Sequence, residues 1–180
     1  MTVPGMLERG RAALLVVDVQ EAFRPAVPGF EAVAASTATL VRGAGALGVP
    51  VVVSEQYPKG LGATAPEVAE HLDGIARLEK TVFSAARADG FDLDGRDQVL
   101  LCGIETHVCV SQTAHDLLGQ GLEVHVVQDA VSSRTEANRE LGLQKMQRAG
   151  AVLTSVETAL FEMLGEAGTP VFKEVQALIR

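Results

Sequence analysis

The sequence is poor in the residue types that mark secreted, membrane-bound or nucleic-acid-binding proteins. It has no tryptophan, one tyrosine and two cysteines among 180 residues, and two cysteines are too few for a disulfide framework. We therefore expect unpaired, reduced thiols and a cytoplasmic location. The longest early apolar run, Ala12–Val17, ends at Asp18, so we expect neither a signal peptide nor a membrane span. The formal net charge is −8 and no basic patch interrupts it, which argues against a nucleic-acid partner.

The composition indicates one globular domain over residues 1–180, because 47% of the residues are hydrophobic and 21% are charged. Short apolar runs alternate along the chain with helical patterns. This alternation is typical of βαβ units, in which a parallel sheet carries helices on both faces. The fold class is thus α/β, and the predicted strands are Ala12–Val17, Val49–Val53, Val99–Cys102, Leu122–Val127 and Ala151–Leu153, with Arg77–Lys80 as an extra edge strand.

Capping signals predict where three later helices begin. Ser133 and Thr154 each precede a glutamate by three residues, which is the spacing of a capping box. Thr169 precedes a proline, and proline favours the first position of a helix. Between the second strand and the edge strand, residues 56–78 contain several prolines and glycines and no clear period. We expect a long loop there, and such loops in α/β domains are often functional.

Three residues with chemically useful side chains lie close to the ends of predicted strands. Asp18 follows the first strand, and Lys80 ends the edge strand. Cys109 stands near the start of a helix that we expect about five residues after Gly103. Because ligands of open parallel sheets bind beyond the carboxyl ends of the strands, these three side chains can converge at one edge of the sheet.

A thiol, a carboxylate and an ammonium group that meet in one crevice can form a nucleophilic site. The thiolate is the reactive form of cysteine, and a helix N-terminus, a nearby ammonium or a carboxylate that accepts the proton can activate the thiol. Backbone N–H groups at the turn before the helix can hold a developing oxyanion. Each residue type also has an ordinary role: cysteine fills cores, aspartate caps turns and lysine lies on the surface. The residues alone leave both interpretations open.

Residues near the same strand ends are candidates for substrate binding. Gln56 follows the second strand and can bond a substrate carbonyl or carboxylate. Phe23 and Tyr57 can form apolar walls of a small pocket. His107, at the expected helix start, either lines the pocket or faces solvent. His125 alternates within an apolar strand, where we expect a buried ring whose nitrogens are satisfied.

From about Ala12 to its C-terminus, the sequence resembles the isochorismatase-like cysteine hydrolases. Three motifs in the expected order carry the resemblance: LLVVDVQEAF around Asp18, LEKTVFSA around Lys80 and CGIETHVCVSQTAHDLL around Cys109. The stretches SEQYPKGLGAT, VHVVQDAVSSR and FKEVQALI are most similar to the isochorismatase domain-containing subgroup.

The resemblance implies a catalytic triad of Asp18, Lys80 and Cys109. It also implies a cis peptide bond between Ile104 and Glu105, which would aim the N–H of Glu105, beside that of Cys109, into an oxyanion hole. The implied fold is a three-layer α/β/α sandwich around a Rossmann-like, six-stranded parallel sheet. Members of the family are commonly oligomers, so we expect a homo-oligomer.

The sequence departs from two groups of relatives. Nicotinamidases of the superfamily bind a metal through an Asp-x-His pair after the second strand and a further histidine. Here that position reads Ser54-Glu55-Gln56-Tyr57, and the nearest candidate, His71, stands alone. A metal site needs several converging ligands, so we expect no metal, no cofactor and no nicotinamidase activity. Isochorismatases that cleave a vinyl ether need no thiol, so Cys109 weakens that assignment as well.

The leading hypothesis is a hydrolase of C–N bonds other than peptide bonds. Its substrate would be a small amide, ureido or related carbonyl compound, and its intermediate a thioester on Cys109. The alternative is a thiol redox or scavenging protein that uses the same cysteine, although no resolving partner is evident. A third hypothesis is that the protein is a binding or assembly subunit that kept the fold and lost useful enzymatic turnover.

Overall fold

The computed structural model describes residues 4–179, whose strands form one parallel sheet of six strands. The strands are β1 (Ala12–Val17), β2 (Val51–Gln56), β3 (Arg77–Lys80), β4 (Gln98–Ile104), β5 (Glu123–Ser132) and β6 (Val152–Thr154). The helices are α1 (Phe30–Leu47), α2 (Pro58–Leu61), α3 (Pro66–Ala69), α4 (Ser111–Gly119), α5 (Glu136–Arg148), α6 (Val156–Leu164) and α7 (Pro170–Leu178). A π-helical turn, Thr106–Val110, leads directly into α4. Over this part of the chain, no helix combines the length and the apolar character that crossing a membrane requires.

The sheet has the strand order β3-β2-β1-β4-β5-β6, and helices pack on both of its faces. Helices α1, α6 and α7 cover one face, and α4 and α5 cover the other. The predicted three-layer α/β/α sandwich is therefore confirmed, with β3 at the edge of the sheet as expected. Because the helices that follow β1 and β4 lie on opposite faces, the sheet has a topological switch point between these two strands.

Alternate residues of the central strands fill two separate cores. In β1, Leu14 and Val16 face the core under α1, whereas Leu15 and Val17 face the core under α4. Every residue of β1 is buried, because helices exclude water from both faces of the strand. Because both faces of the strand are buried, its sequence is a continuous apolar run.

Several elements extend beyond their predicted limits at the carboxyl edge of the sheet. β4 continues through Gly103 to Ile104, and helical structure begins at Thr106, earlier than expected. β5 continues past its predicted end to Ser132. Apolar periodicity does not reveal these extensions, because glycine and polar residues at the edge are held by pairing with a neighbouring strand. Gly103, for example, is paired with Val131 of β5.

The segment between β2 and β3 is more regular than the expected long loop. It contains α2 and α3, each with proline at its start. Two buried side chains tie the segment to the sheet. The Nε2 atom of Gln20 donates to the carbonyl of Gly62 at 2.7 Å, and the Glu55 carboxylate accepts the N–H and the hydroxyl of Thr64 at 2.7 and 2.6 Å. These are long-range contacts that a local pattern cannot show.

The helix caps follow the predictions in one case and differ in two. Thr169 caps α7 by accepting the N–H of Phe172, as the Thr-Pro pair predicted. The caps of α5 and α6 are Thr135 and Ser155, so the capping boxes proposed at Ser133 and Thr154 are wrong. In both corrected cases a second hydroxyl residue near the helix start occupies the cap position instead.

Candidate active site

The candidate site lies at the carboxyl ends of β1 and β4, at the switch point of the sheet. The two strands come very close here. A Cβ atom on Gly103 would lie 2.0 Å from the carbonyl oxygen of Val17, so only glycine fits. Asp18, the next residue along β1, has a φ of 54°, a left-handed conformation that aspartate tolerates better than most residues. The chain therefore turns sharply at Asp18, whose side chain is fully buried.

Asp18 and Lys80 form a buried ion pair. The Lys80 Nζ donates to Oδ2 of Asp18 at 2.7 Å, and neither side chain is exposed. The hydroxyl of Ser54 donates to Oδ1 of the same carboxylate at 2.7 Å. Strand pairing brings these groups together, because Val17 is paired with Ser54 and Gln56 is paired with Lys80. The cation and the hydrogen bonds offset the free-energy cost of removing the carboxylate from water.

The Lys80 ammonium is surrounded by oxygen atoms. Besides its bond to Asp18, Nζ donates to Oε1 of Gln56 at 2.6 Å, to the carbonyl of Phe83 at 2.9 Å and to the carbonyl of Val82 at 3.3 Å. The two carbonyls belong to the turn that follows β3. Strand and turn together hold Lys80 as a buried cation, in contrast to the surface role that is usual for lysine.

Cys109 lies in the π-helical turn Thr106–Val110, directly before α4. Such turns occur frequently at functional sites. The residue is only 6% exposed, and its Sγ lies 4.0 Å from Oε1 of Gln56. The Asp18 carboxylate and the Lys80 ammonium both lie close enough for their charges to act on the thiol. Residues from β1, β3 and the start of α4 thus meet in one crevice, as the positions of Asp18, Lys80 and Cys109 near strand ends predicted.

Burial and charge keep the thiol protonated in this arrangement. Burial, followed by the negative charge of Asp18, raises the pKa of Cys109 to about 12, and Lys80 only partly opposes this rise. Burial also raises the pKa of Asp18, against the lowering effects of Lys80 and Ser54. At neutral pH the site therefore contains a thiol, and a base has to remove its proton when the sulfur attacks.

The peptide bond between Ile104 and Glu105, just before the π-helical turn, is cis. The Glu105 side chain is nearly buried, and its carboxylate accepts the backbone N–H and the Nε–H of Arg134, both at 3.0 Å. The carbonyl oxygen of Glu105 accepts the N–H groups of Val108 and Val110. Glu105 therefore connects the end of β4, the turn and the end of β5 beside the thiol.

Two of the predicted binding residues lie beside the buried lysine. Gln56 contacts Lys80 directly and approaches the thiol. Tyr57 is exposed and lines a cavity of about 380 Å³, of which Lys80 forms part of the wall. Tyr57 also has a positive φ of 38°, which is rare for a bulky residue, and such backbone outliers cluster at functional sites.

The other two predicted binding residues lie farther from the ion pair. The Nδ1 atom of His107 is 3.0 Å from the hydroxyl of Ser133, so the ring is held on the β5 side of the thiol. Phe23 packs against the core under α1, and it is not part of the wall of the cavity beside Lys80.

The histidines outside the crevice do not form a metal site. His71 contacts Glu70 at 3.4 Å, and residues 4–179 contain no group of three or more His, Cys, Asp and Glu side chains placed to hold a metal ion. His125 is fully buried, and its Nε2 lies 3.0 Å from the Glu123 carboxylate. Its Nδ1 has no hydrogen-bond partner among the described residues, so the expectation of two satisfied nitrogens is wrong for this atom. Leu100, opposite His125 on β4, is apolar and offers no acceptor.

Sequence reasoning missed the residues that hold the three central side chains in place. Ser54 ends an apolar strand, and a single hydroxyl at that position was an available signal. Val82 and Phe83 act through carbonyl oxygens, which no side-chain pattern reveals. Gln20 is fully buried and holds the backbone of Gln56 twice: its Oε1 accepts the N–H at 2.7 Å, and its Nε2 donates to the carbonyl at 3.0 Å.

A family model described as the isochorismatase domain matches residues 12–158, a range that includes Asp18, Lys80 and Cys109. The chain belongs to the isochorismatase family. The resemblance drawn from the three motifs is thereby confirmed, and membership places the protein among the hydrolases of the isochorismatase family.

Relatives of this isochorismatase-family chain cover almost its whole length. Isochorismatase domain-containing protein 2A of Mus musculus is 44% identical over 170 residues, which are 93% of this chain and 82% of that protein. A solved structure described as the MAR1 ribonuclease of Caenorhabditis elegans is 40% identical, with a TM-score of 0.90, and the match covers 97% of this chain and 92% of that one. The YcaC protein of Escherichia coli, described as an octameric hydrolase of unknown specificity, shares the fold at 22% identity, with a TM-score of 0.87 over 99% of this chain and 91% of that one.

Proposed function

We propose that this isochorismatase-family protein is a cysteine-dependent hydrolase of a small amide, ureido or related carbonyl compound. One observation carries the proposal: a thiol, a buried carboxylate and a buried ammonium share one crevice. Asp18 bonds Lys80 at 2.7 Å, and its charge acts on the Cys109 thiol. This is the arrangement of a nucleophile with an adjacent base that a third group holds in place.

In the first half of the reaction, Asp18 accepts the thiol proton while Sγ of Cys109 bonds to the carbonyl carbon of the substrate. The negative charge that develops on the carbonyl oxygen is held by the backbone N–H groups of Glu105 and Cys109. One such donor typically contributes about 3 kcal/mol to lowering the barrier. When the C–N bond breaks, the Asp18 carboxyl gives its proton to the leaving nitrogen, and a thioester remains on the sulfur.

In the second half, water hydrolyses the thioester. Asp18 accepts a proton from the water as its oxygen bonds to the carbonyl carbon, and the C–S bond then breaks. The proton on Asp18 returns to the sulfur, so the thiol is restored and a carboxylic acid is released. Lys80 keeps the Asp18 side chain in place, and its positive charge favours the carboxylate form that accepts each proton.

A small substrate would enter through the cavity beside Lys80, whose wall includes Tyr57 but not Cys109. The cavity volume of about 380 Å³ falls at the lower end of the range for small-molecule pockets. We propose that Gln56 and Tyr57 line the substrate site on the Lys80 side and that His107 lines it on the β5 side. Phe23, which packs against the core, would act only by supporting the pocket wall.

The redox alternative has no support from the geometry. Cys102 faces the core under α1 and contacts Thr37 at 4.0 Å, whereas Cys109 faces the core under α4. The sheet therefore separates the two thiols, which are both free, and Cys102 cannot resolve an oxidised Cys109. The raised pKa of Cys109 also lowers the thiolate fraction that an oxidant would attack.

Mass spectrometry of the intact protein during incubation with a panel of small amides and ureas tests the proposed function. We expect a transient mass increase on the peptide that carries Cys109, together with release of the amine or ammonia. Cys109→Ala should abolish both, and loss of the nucleophile typically lowers kcat by a factor on the order of 10⁶. The matched control is Cys102→Ala, which removes the other thiol and should preserve both signals. Full turnover by Cys109→Ala would exclude the mechanism.

Three further expectations stay predictions. They are a single domain over residues 1–180, a cytoplasmic location and a homo-oligomer. An octameric state is described for the YcaC protein of Escherichia coli, and at 22% identity that protein supports the fold alone.

A further inference from the structure

The three protons of the Lys80 ammonium are all engaged by protein oxygens. Its three shortest bonds go to Gln56 Oε1 at 2.6 Å, to Asp18 Oδ2 at 2.7 Å and to the carbonyl of Phe83 at 2.9 Å. An ammonium group has only three N–H donors. No N–H is therefore left to bond the sulfur of Cys109 at full strength, although the charge of Lys80 lies close enough to act on the thiol.

Of these three acceptors, only Gln56 can be exchanged readily. The Asp18 carboxylate is fully buried and is fixed by Ser54, and the Phe83 oxygen belongs to the main chain. The Gln56 side chain is neutral, is only partly buried and is anchored at its outer end by one bond, from Nε2 to the carbonyl of Thr81 at 2.9 Å. Its movement would break three contacts, with the Thr81 carbonyl, the Lys80 ammonium and the Cys109 thiol, and Lys80 would still be paired with Asp18.

Gln56 also ends in the functional group that the proposed substrates share. Its carboxamide oxygen lies 2.6 Å from the Lys80 Nζ and 4.0 Å from the Cys109 Sγ. A substrate whose carbonyl carbon approaches this sulfur, with its oxygen on the N–H groups of Glu105 and Cys109, would meet the Gln56 carboxamide without itself using the Lys80 donor. The side chain thus occupies part of the place that an amide substrate needs.

We propose that Gln56 is a positioning residue that holds the Lys80 ammonium away from the thiol, and that a carboxamide ligand activates Cys109 by displacing it. The inference rests on the proposed amide hydrolysis and deepens it, because it names the carboxamide group as the trigger. When the Gln56 oxygen leaves, one N–H of Lys80 becomes available to the sulfur, for which only the longer bond to the Val82 carbonyl at 3.3 Å competes, while the thiol proton passes to Asp18. An ammonium beside the sulfur favours the thiolate.

The restraint of Lys80 by Gln56 adds to other effects that keep the thiol protonated. Burial and the charge of Asp18 raise the pKa of Cys109 to about 12, and the partial effect of Lys80 does not offset them. A site that stays unreactive until an amide arrives is protected against alkylation and oxidation by other compounds. The energetic cause is the competition between two acceptors, Gln56 and the sulfur, for one donor.

The test measures the rate at which methyl methanethiosulfonate labels Cys109 between pH 6 and pH 10, with the labelled peptide identified by mass spectrometry. This probe carries no carboxamide that could itself displace Gln56. Its methylthio group forms a mixed disulfide with the thiolate, and methanesulfinate leaves. For the wild-type protein we expect slow labelling at pH 7.5 that rises about tenfold per pH unit without a plateau, since the thiolate fraction rises tenfold per unit below the pKa.

Three variants at position 56 test whether Gln56 holds the Lys80 ammonium away from the thiol or has only a structural role. Gln56→Met removes the carboxamide at similar length, and Gln56→Asn withdraws it by one methylene; both should speed labelling at pH 7.5 about tenfold, which corresponds to one pKa unit. Gln56→Glu keeps the shape but binds Lys80 more strongly and adds negative charge, so it should slow labelling about tenfold. The matched control, Gln144→Met on the exposed face of α5, should leave the rate unchanged. Circular dichroism and Tm establish that each variant is folded.

The proposal requires faster labelling of Gln56→Met and Gln56→Asn than of the wild type, and slower labelling of Gln56→Glu. Labelling of Gln56→Met and Gln56→Asn at or below the wild-type rate, or faster labelling of Gln56→Glu, would overturn the restraint. Labelling needs no turnover, so it reports on Gln56 even where no amide is hydrolysed. Conversely, amide hydrolysis that depends on Cys109 without this pattern of labelling would leave the proposed function standing and remove the restraint alone.

Discussion

Asp18 and Lys80 show how two charges are accommodated inside an otherwise apolar interior. Both side chains are fully buried, and each has further polar partners: Ser54 for the carboxylate, and Gln56 and Phe83 for the ammonium. A buried pair of this kind contributes little net stability compared with apolar residues of the same shape, because desolvation opposes the attraction. Its persistence at the switch point is better explained by chemistry than by stability.

At the residue scale we predict strong coupling between the two charges. Asp18→Asn or Lys80→Met alone should lower the free energy of unfolding by about 3 kcal/mol, because each leaves an uncompensated buried charge. The double variant should lie within about 1 kcal/mol of the wild type, since it removes both charges together. Urea unfolding of the wild type, the two single variants and the double variant at pH 7 completes a double-mutant cycle and gives the coupling free energy of the pair.

Turnover measured on the same variants shows whether the ion pair is needed for catalysis as well as for stability. All three should lack amide hydrolysis, including the stable double variant, because the base and its cation are gone. Equal and additive losses of stability in the two single variants would show that the pair is not coupled, and the buried ion pair would then not be the organising contact of the site.

At the scale of elements, the π-helical turn that carries Cys109 is fixed by a close contact with α5. A Cβ atom on Gly142 of α5 would lie 2.8 Å from the carbonyl carbon and oxygen of Thr106, in the first residue of the turn. Backbone therefore packs directly on backbone. A glycine inside a helix costs about 1 kcal/mol relative to alanine, and this close packing is what compensates for it.

We predict that Gly142→Ala destabilises the protein despite the higher helix propensity of alanine. The added methyl group forces α5 away from the turn, and overpacking of this kind costs about 1–3 kcal/mol. We also expect a lower kcat, because the thiol moves relative to Asp18. Thermal unfolding and single-turnover kinetics measure the two effects.

Gly45→Ala provides the matched control within another helix. Gly45 is exposed on α1, and a Cβ atom there would meet nothing within 4 Å. The same substitution should therefore stabilise the protein by up to about 1 kcal/mol. A Gly142→Ala variant that is as stable as Gly45→Ala would refute the close contact between α5 and the turn.

At the scale of the whole molecule, charge decides which partners the protein can attract. The formal net charge is −8, with 23 acidic residues against 15 lysines and arginines. A relative of known structure is described as a ribonuclease, and RNA carries one negative charge per nucleotide. Much of the affinity for such a polyanion comes from basic side chains that neutralise its phosphates, and an acidic surface lacks that contribution.

We therefore predict that the protein neither binds nor cleaves single-stranded RNA at physiological salt. Fluorescence anisotropy with a labelled oligonucleotide should show no binding up to about 100 μM protein, the weak limit of ordinary non-specific affinity. Incubation with the same RNA should leave it intact. Cleavage that disappears in Cys109→Ala would instead indicate that the crevice accepts a nucleic acid, and the small-amide proposal would fall.

The fold and the place of the three central residues at one edge of the sheet were predictable from local information, whereas their joint catalytic role was implied only by the family resemblance. Strands buried on both faces leave continuous apolar runs, and residues just beyond such runs lie at the edge where parallel sheets bind ligands. This reasoning reached Asp18, Lys80 and Cys109. It missed Ser54 and the carbonyls of Val82 and Phe83, because their roles depend on which strand lies next to which.

The order of hydrophobic and polar residues alone determined the alternation of strands and helices, the parallel sheet and the side of the sheet where chemistry can occur, because burial acts on each element through its own period. Only the tertiary structure decided that the Lys80 ammonium is already saturated with oxygens and that Cys109 stands protonated beside Asp18. Those properties arise from distances between strands that are far apart in the chain, and the energy of a charge depends on its neighbours in space.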